Sequence, residues 1–478
     1  MSVAQLVCPL YRAAGRWPEQ PALEEGSAAV TFRTLEREVS HLCRQLSEYG
    51  VQPGDRLALA TDDRGAIVRW LLAALRLELC AVVLNPSQPD AALAAQIERA
   101  VPNWLVTERT LEGVALDGFD PRLFAARPPS FGNDAPVGVE IRPDRPYTGV
   151  FTSGSSGTPK LALHSYRNHH ASALGSQQLI PLGPGDRWAA VLPFYHVGGL
   201  ALIFRCLLAG ACLQIPDPER PLADLVRDAA GPTHLSAVST QVLRLQNEGR
   251  RLDQGCLRTL LLGGSAFPQG LLEWLAPQSV NVLISYGLTE MSSQVMSGPV
   301  NADGVLARLL PGRELKIAPD GEILVRGATL FLGYDEGGML RRPLDNDGWF
   351  HTRDLGDLAA EGLRVLGRQD NQFISGGENI QPEEIEAWIA RYPGVERCVV
   401  VPVDDAEFGQ RPVALVAGLA LPDDAEGLRA WLRLRIAGYK VPRVYLPLPQ
   451  TTGTPLKIQR QPLQQLATRM LAAEGRRR

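Results

Sequence analysis

Segments with helical spacing alternate with short apolar segments along most of this chain, and that rhythm limits its possible folds more than any other feature. Leu35 to Tyr49 places apolar residues at helical intervals, while Arg56-Leu57-Ala58-Leu59-Ala60 and Cys80-Ala81-Val82-Val83-Leu84 read as short buried strands. Strands alternating with helices predict parallel sheets covered by helices. From Pro311 to Leu366 the rhythm gives way to short strands at Glu314 to Ile317, Gly321 to Arg326 and Leu363 to Leu366, with Pro319-Asp320-Gly321 as a turn. Antiparallel or barrel-like structure is expected there. After Arg368 the chain starts afresh. Pro382 followed by Glu383-Glu384 makes a helix start, with proline in the first turn and acids at the positive dipole end. Strands at Val399 to Val403 and Val413 to Ala417 and a helix from Glu426 to Ile436 follow. The expected fold is therefore α/β. A large N-terminal domain, residues 1–369, has parallel-type sheets covered by helices plus a small β-barrel-like part. A smaller α+β domain spans residues 370–478.

A chain of 478 residues also exceeds what one hydrophobic core usually serves. Its net charge of −4 argues against a nucleic-acid or anionic-membrane partner. The most apolar stretch, Trp70 to Asn85, is too short for a bilayer span and is broken by Arg76 and Glu78. The start, Met1-Ser2-Val3-Ala4-Gln5, lacks the cationic beginning and apolar run of a secretion signal. Seven scattered cysteines form no Cys-x-x-Cys pair, so reduced thiols in a cytoplasmic protein are expected.

The strongest chemical signal runs from Tyr147 to Lys160. It contains Thr152-Ser153-Gly154-Ser155-Ser156-Gly157-Thr158-Pro159-Lys160 after a strand expected to end at Val150-Phe151. Such a loop offers backbone N–H groups, hydroxyls and one ammonium to phosphate oxygens. It is not a Walker A loop, since Thr158-Pro159 separates Gly157 from the lysine and Leu161 follows it. On composition alone, a flexible linker would read the same way. Three further segments weigh against that. Ser285-Tyr286-Gly287-Leu288-Thr289-Glu290 supplies an aromatic face, a hydroxyl and a carboxylate able to hold magnesium. Gly348-Trp349-Phe350-His351-Thr352-Arg353-Asp354 ends in an acid suited to ribose hydroxyls. Gly367-Arg368-Gln369-Asp370-Asn371 sets a cation and an acid at the domain junction.

In this order and spacing, the motifs resemble those of the adenylate-forming superfamily of acyl-CoA synthetases, adenylation domains and luciferases, from about Thr31 to Arg460. The resemblance implies ATP, Mg²⁺ and coenzyme A as co-substrate, and a reaction in two halves. A carboxylate attacks the α-phosphate of ATP to give acyl-AMP, and a thiol then takes the acyl group. It also implies roles for residues. Lys457, in Gly453-Thr454-Pro455-Leu456-Lys457, would bridge carboxylate and phosphate, with Leu456 standing where glycine is usual. Thr152, Ser153, Gly154, Ser155, Ser156, Gly157, Thr158 and Lys160 would wrap the β- and γ-phosphates. Glu290 would bind Mg²⁺. Tyr286 and Gly264, the latter beside Ser265, would flank adenine, with Ser285, Gly287, Thr289 and Arg368 also in the nucleotide site, and Asp354 would hold the ribose. Asp370 matches a hinge about which a mobile small domain turns, bringing Ser375-Gly376-Gly377 to the thiol.

Phe194-Tyr195-His196-Val197-Gly198-Gly199 matches the segment lining the acyl pocket, where His196 and Gly198 replace the aspartate of amino-acid-activating relatives. Finer resemblance, through Leu192 to Gly199, Leu310 to Ile317 and Phe373 to Glu384, is to the o-succinylbenzoate–CoA ligase branch of menaquinone biosynthesis. That dianionic acid needs a second cation, and Arg244 in Thr240-Gln241-Val242-Leu243-Arg244 matches the branch's arginine. Another small aryl- or acyl-CoA ligase, or an enzyme loading a carrier protein, remains an alternative. The expected partners are a small carboxylate, ATP and CoA, with no nucleic acid and no membrane insertion. A homodimer is compatible with these features.

Overall fold

The computed structural model describes residues 6–108, 122–124, 137–152, 159–264, 267, 269–375, 378–405, 408–421, 423–449 and 460–475. Two large sheets dominate. The first has eight strands, in the order Met339–Arg341, Gly333–Glu336, Lys160–Ser165, Pro146–Thr152, Cys80–Val83, Arg56–Ala60, Trp104–Thr107 and Arg122–Phe124. It is parallel from Pro146–Thr152 onward and antiparallel before it. Cys80–Val83 is buried at every position, as a parallel strand covered on both faces must be.

The second sheet has nine strands. Its centre is parallel and runs through Asn281–Leu288, Thr259–Leu262, His234–Ala237, Arg187–Ala189 and Cys212–Ile215. The main core lies between the two sheets. There Leu57 and Val83 of the first share one cluster with Leu213 and Leu283 of the second and with Leu71, Leu200 and Phe204 of the intervening helices. The helix Arg64–Arg76 opens with Asp63, whose carboxylate accepts the Ala66 N–H at 2.8 Å.

That core also holds an ion pair. Arg76 donates to Glu36 and to Ser40 Oγ at 2.9 Å, and Ser40 in turn donates to Glu36. Both members of the pair are buried. Removing one partner leaves an uncompensated charge, which costs more than the pair itself contributes. Glu36→Ala is expected to destabilise the large domain by about 3 kcal/mol, read from its denaturant midpoint.

The β-rich stretch takes the antiparallel arrangement of the two that its turn signals allow. Arg313–Ile317, Glu322–Gly327, Phe350–Ala359 and Gly362–Arg368 form a four-stranded antiparallel sheet in chain order. Residues beyond 369 form a sheet of their own from Glu378–Ile380, Phe373–Ser375, Gly409–Ala417, Arg397–Asp405 and Val444–Pro447. Two separate clusters pack against it, one around Ile385, Ile389 and Leu428 and one around Val401, Leu415 and Ala467. The helix expected from Glu426 to Ile436 is Ala425–Arg433. No helix among the described residues is long and apolar enough to cross a membrane. All seven cysteines are free, five of them buried.

Candidate active site

Three parallel strands, His234–Ala237, Thr259–Leu262 and Asn281–Leu288, lie side by side, so the segments that follow them share one edge of the nine-stranded sheet. A crevice outside the carboxyl ends of such strands is where α/β folds bind ligands. Gly264 sits on this edge at φ +83°, a conformation costly for a residue with Cβ. Gly287 is required by proximity, since a Cβ there would lie 2.1 Å from the Ser293 carbonyl oxygen. Ser285 spends its hydroxyl on the Met296 carbonyl at 3.3 Å.

Tyr286 leads into a chain of polar contacts. Its hydroxyl donates to Asp354 at 2.7 Å, and Arg368 donates to the other oxygen of that carboxylate at 2.8 Å. Arg368 also donates to Asp370 at 3.0 Å, and Arg353 reaches the same acid at 3.1 Å. Burial, followed by the neighbouring Asp354, pushes the Tyr286 hydroxyl well above its ordinary range, so it stays protonated and donates. Burial alone would raise the Asp370 carboxyl, but Arg368 and Arg353 outweigh it and hold the acid below its usual value. Arg353 adopts φ +59°, a left-handed conformation that costs a non-glycine residue on the order of 1 kcal/mol or more.

A second group gathers on the first sheet. Lys160 and Thr152 are directly opposed across their antiparallel strands. The Lys160 ammonium lies 5.1 Å from the centroid of the Tyr334 ring, and the Tyr334 hydroxyl donates to Glu290 Oε1 at 2.5 Å. Burial first, and Glu290 next, keep that hydroxyl protonated far above its ordinary range. The backbone of the same turn is also fixed, because His164 Nε2 pairs with the Thr289 carbonyl at 2.7 Å. Burial pulls His164 down to about 4, so the ring is neutral and Nε2 carries the hydrogen toward that acceptor.

The acyl-side residues lie on two helices. His196 is exposed at the N-cap of Val197–Ala209, with its ring 4.8 Å from that of Tyr195, and Gly198 falls in the first turn. Arg244 is exposed in the last turn of Ser239–Asn247. Ser153 to Thr158, Ser265, Gly376, Gly377 and Lys457 lie outside the described residues.

Arg205 was not singled out in the sequence, although it is the lone charge in the apolar run Val197–Ala209. Its guanidinium is wholly buried, and its hydrogen-bond partners are neutral: Gln294 Oε1 at 2.8 Å and Ser293 Oγ at 3.2 Å. Burial, then the nearby Arg313, pull its pKa down to about 9. Tyr334 and His164 were also missed. Neither stands in a recognisable motif, and only strand pairing brings them to the site.

Two polar groups, Tyr286–Asp354–Arg368 and Lys160–Tyr334–Glu290, bring together motif residues from three sheets, the arrangement expected of an acid-activating, nucleotide-dependent enzyme. Comparison with known proteins agrees. Residues 10–335 match the model of the AMP-binding enzyme, and residues 384–453 match that of the AMP-binding enzyme C-terminal domain. The chain belongs to the AMP-binding enzyme family. It is 35% identical over 452 residues to the 2-succinylbenzoate–CoA ligase of Salmonella typhimurium, covering 94% of this chain and 95% of that protein. Its fold is similar to o-succinylbenzoate CoA synthetase from Bacillus subtilis in complex with the acyl-adenylate intermediate (TM-score 0.83, 28% identity, 96% of this chain and 98% of that one). The same synthetase in complex with ATP and magnesium ion gives a TM-score of 0.80 at 26% identity, covering 93% and 96%.

Proposed function

We propose that this chain is an ATP-dependent acid–CoA ligase that converts 2-succinylbenzoate to 2-succinylbenzoyl-CoA through an acyl-adenylate, as a step in making menaquinone. The observation that carries this reading is the near-full-length likeness to a ligase for that acid, over both matched domains. In the first half-reaction a carboxylate oxygen bonds to the α-phosphorus and the bond to pyrophosphate breaks. In the second, the CoA sulfur bonds to the acyl carbon and AMP leaves.

The phosphorus centre gains negative charge, so the chain's task is positioning and electrostatic stabilisation. Lys160 and the 152–158 loop hold the β- and γ-phosphates, and Lys457 bridges the reacting carboxylate and phosphate. Tyr286 and Gly264 flank adenine, and Asp354 accepts from the ribose hydroxyls. Glu290, whose Oε1 accepts from the Tyr334 hydroxyl, would hold a magnesium ion. When bound there, the ion neutralises phosphate charge. The small domain, residues 370–478, pivots at Asp370 between the two halves. A cavity of about 200 Å³ beside Ser375 is lined by Phe408, Tyr439, Arg443 and Arg411, the last paired with Asp405 at 2.9 Å, and Arg443 would face the phosphates of CoA there. The reading implies a cytoplasmic protein, and a homodimer is the assembly to look for by sedimentation.

The test is a pyrophosphate-release screen over aromatic and aliphatic acids, with and without CoA, with thioester formation followed by mass. Release that is strongest with 2-succinylbenzoate and a CoA-dependent thioester are expected. Release only with other acids, or a thioester only on a carrier protein, would overturn the reading.

Two arginines are candidates for the second carboxylate of that acid. Arg244 has the motif, but the burial of Arg205 among neutral partners favours Arg205, since an isolated buried charge gains most from an anion. Arg205→Leu is expected to raise KM for 2-succinylbenzoate roughly a hundredfold, the loss of one charged hydrogen-bonded pair. Arg244→Leu should change it only a few-fold. The opposite ranking in steady-state kinetics would return the role to Arg244.

A further inference from the structure

Tyr334 enters the scheme above only as the partner of Glu290 Oε1, yet it touches both Glu290 and Lys160. It lies on Gly333–Glu336, which pairs antiparallel with Lys160–Ser165 in the register Leu161 to Asp335, Ala162 to Tyr334 and Leu163 to Gly333. Side chains alternate along a strand, so Lys160, Ala162 and Tyr334 point to one face, with Lys160 the diagonal neighbour of Tyr334. Ala162 leaves the space between them open to the ring. On the opposite face Asp335 is clamped by Arg56 through two hydrogen bonds of 2.8 and 2.9 Å, which fixes the strand under the tyrosine. Phe331 packs edge-on against the Tyr334 ring at 4.9 Å and limits its rotation. The ring therefore has one orientation, its face toward the Lys160 ammonium at 5.1 Å and its hydroxyl on Glu290 Oε1.

We propose that Tyr334 is a positioning residue for adenylation, which sets the Glu290 carboxylate through its hydroxyl and the Lys160 ammonium through its ring. The proposal rests on the roles given above to Glu290 and Lys160. The two contacts serve separate ends. The hydroxyl occupies one carboxylate oxygen and so orients the other for a divalent cation. The ring face holds the ammonium by cation–π attraction, so it need not be ordered when ATP arrives. Both groups are then prearranged, Lys160 on its strand and Glu290 in the turn Thr289–Met291, which lowers the ordering cost of binding.

The two ends can be separated by mutation. Y334F keeps the ring and removes the hydroxyl, whereas Y334L removes both. ATP binding to the full chain is measured by titration calorimetry at a series of Mg²⁺ concentrations, without the acid, and KM for 2-succinylbenzoate is measured separately. Y334F is expected to raise the Mg²⁺ concentration for half-maximal ATP binding about tenfold, the loss of one hydrogen bond to a charged group. Its ATP affinity at saturating Mg²⁺ and its KM for the acid should stay as in the parent. Y334L should show the same Mg²⁺ shift and also lose several-fold in ATP affinity at saturating Mg²⁺. A Y334F protein with the parent's Mg²⁺ dependence would overturn the proposal, provided that E290Q shifts it. An E290Q protein that also keeps the parent's dependence would overturn the assignment of Glu290 itself, and the proposal with it. A merely structural tyrosine would lower the unfolding midpoint and all kinetic constants together, and that result would overturn the proposal too.

Discussion

Replacing Lys457 with alanine will cut acyl-adenylate formation by roughly 10²- to 10³-fold, the usual loss when one preorganised electrostatic contact to a transition state is removed. The reason is local to the reacting atoms. A carboxylate and a phosphate repel one another, and an ammonium between them offsets that repulsion and gains strength as charge builds on phosphorus. The second half-reaction does not need this group in the same place. If synthetic acyl-adenylate is supplied with CoA, thioester formation by the Lys457→Ala protein should fall by no more than a few-fold. Equal losses in both halves, measured by pyrophosphate release and by thioester mass, would show that the lysine serves folding or domain closure instead. KM for ATP should change little, since the interaction is made chiefly in the transition state.

Asp354→Ala is expected to raise KM for ATP by about two orders of magnitude, with a smaller fall in kcat. Asp354 now accepts from Tyr286 at 2.7 Å and from Arg368 at 2.8 Å, so its loss removes the acceptor proposed for ribose and takes the acceptor from a buried tyrosine O–H. Arg368 keeps Asp370 at 3.0 Å, so that pair persists in the variant. The isosteric Asp354→Asn retains acceptor capacity through its amide oxygen and should recover part of the affinity, while Asp354→Ala should not. An unchanged KM for 2′-deoxy-ATP relative to ATP in the parent enzyme would show that the ribose hydroxyls are not read at this acid.

Asp354 also links Tyr286 to Arg368 and, through it, to Asp370. The contacts Tyr286–Asp354–Arg368–Asp370–Arg353 run without a gap from the proposed adenine site to the proposed pivot. Each acid along it accepts from two of the others. A ribose that takes over Asp354 must share it with Arg368, and Arg368 is held at its other end by the proposed pivot.

The sequence by itself determined the layered architecture, because hydrophobic period is a local property. Leu35 to Tyr49 becomes the helix Phe32–Glu48, and Cys80 to Leu84 becomes the strand Cys80–Val83. It also named the motif residues Tyr286, Asp354, Arg368 and Asp370, each punctuated by glycine, and these are joined in space. Only the tertiary structure decided what strand pairing and burial bring together. Tyr334 stands 174 positions beyond Lys160 and has no motif, and it reaches Lys160 through the antiparallel register of two strands. Arg205 reads as an interruption in an apolar helix until the core closes around it and leaves it with neutral partners. Arg244 carries the matching motif, yet the fold puts it on an exposed last turn. The physical reason is the same in each case. Period and motif depend on neighbours along the chain, whereas the cost of burying a charge depends on groups the chain meets only after it has folded.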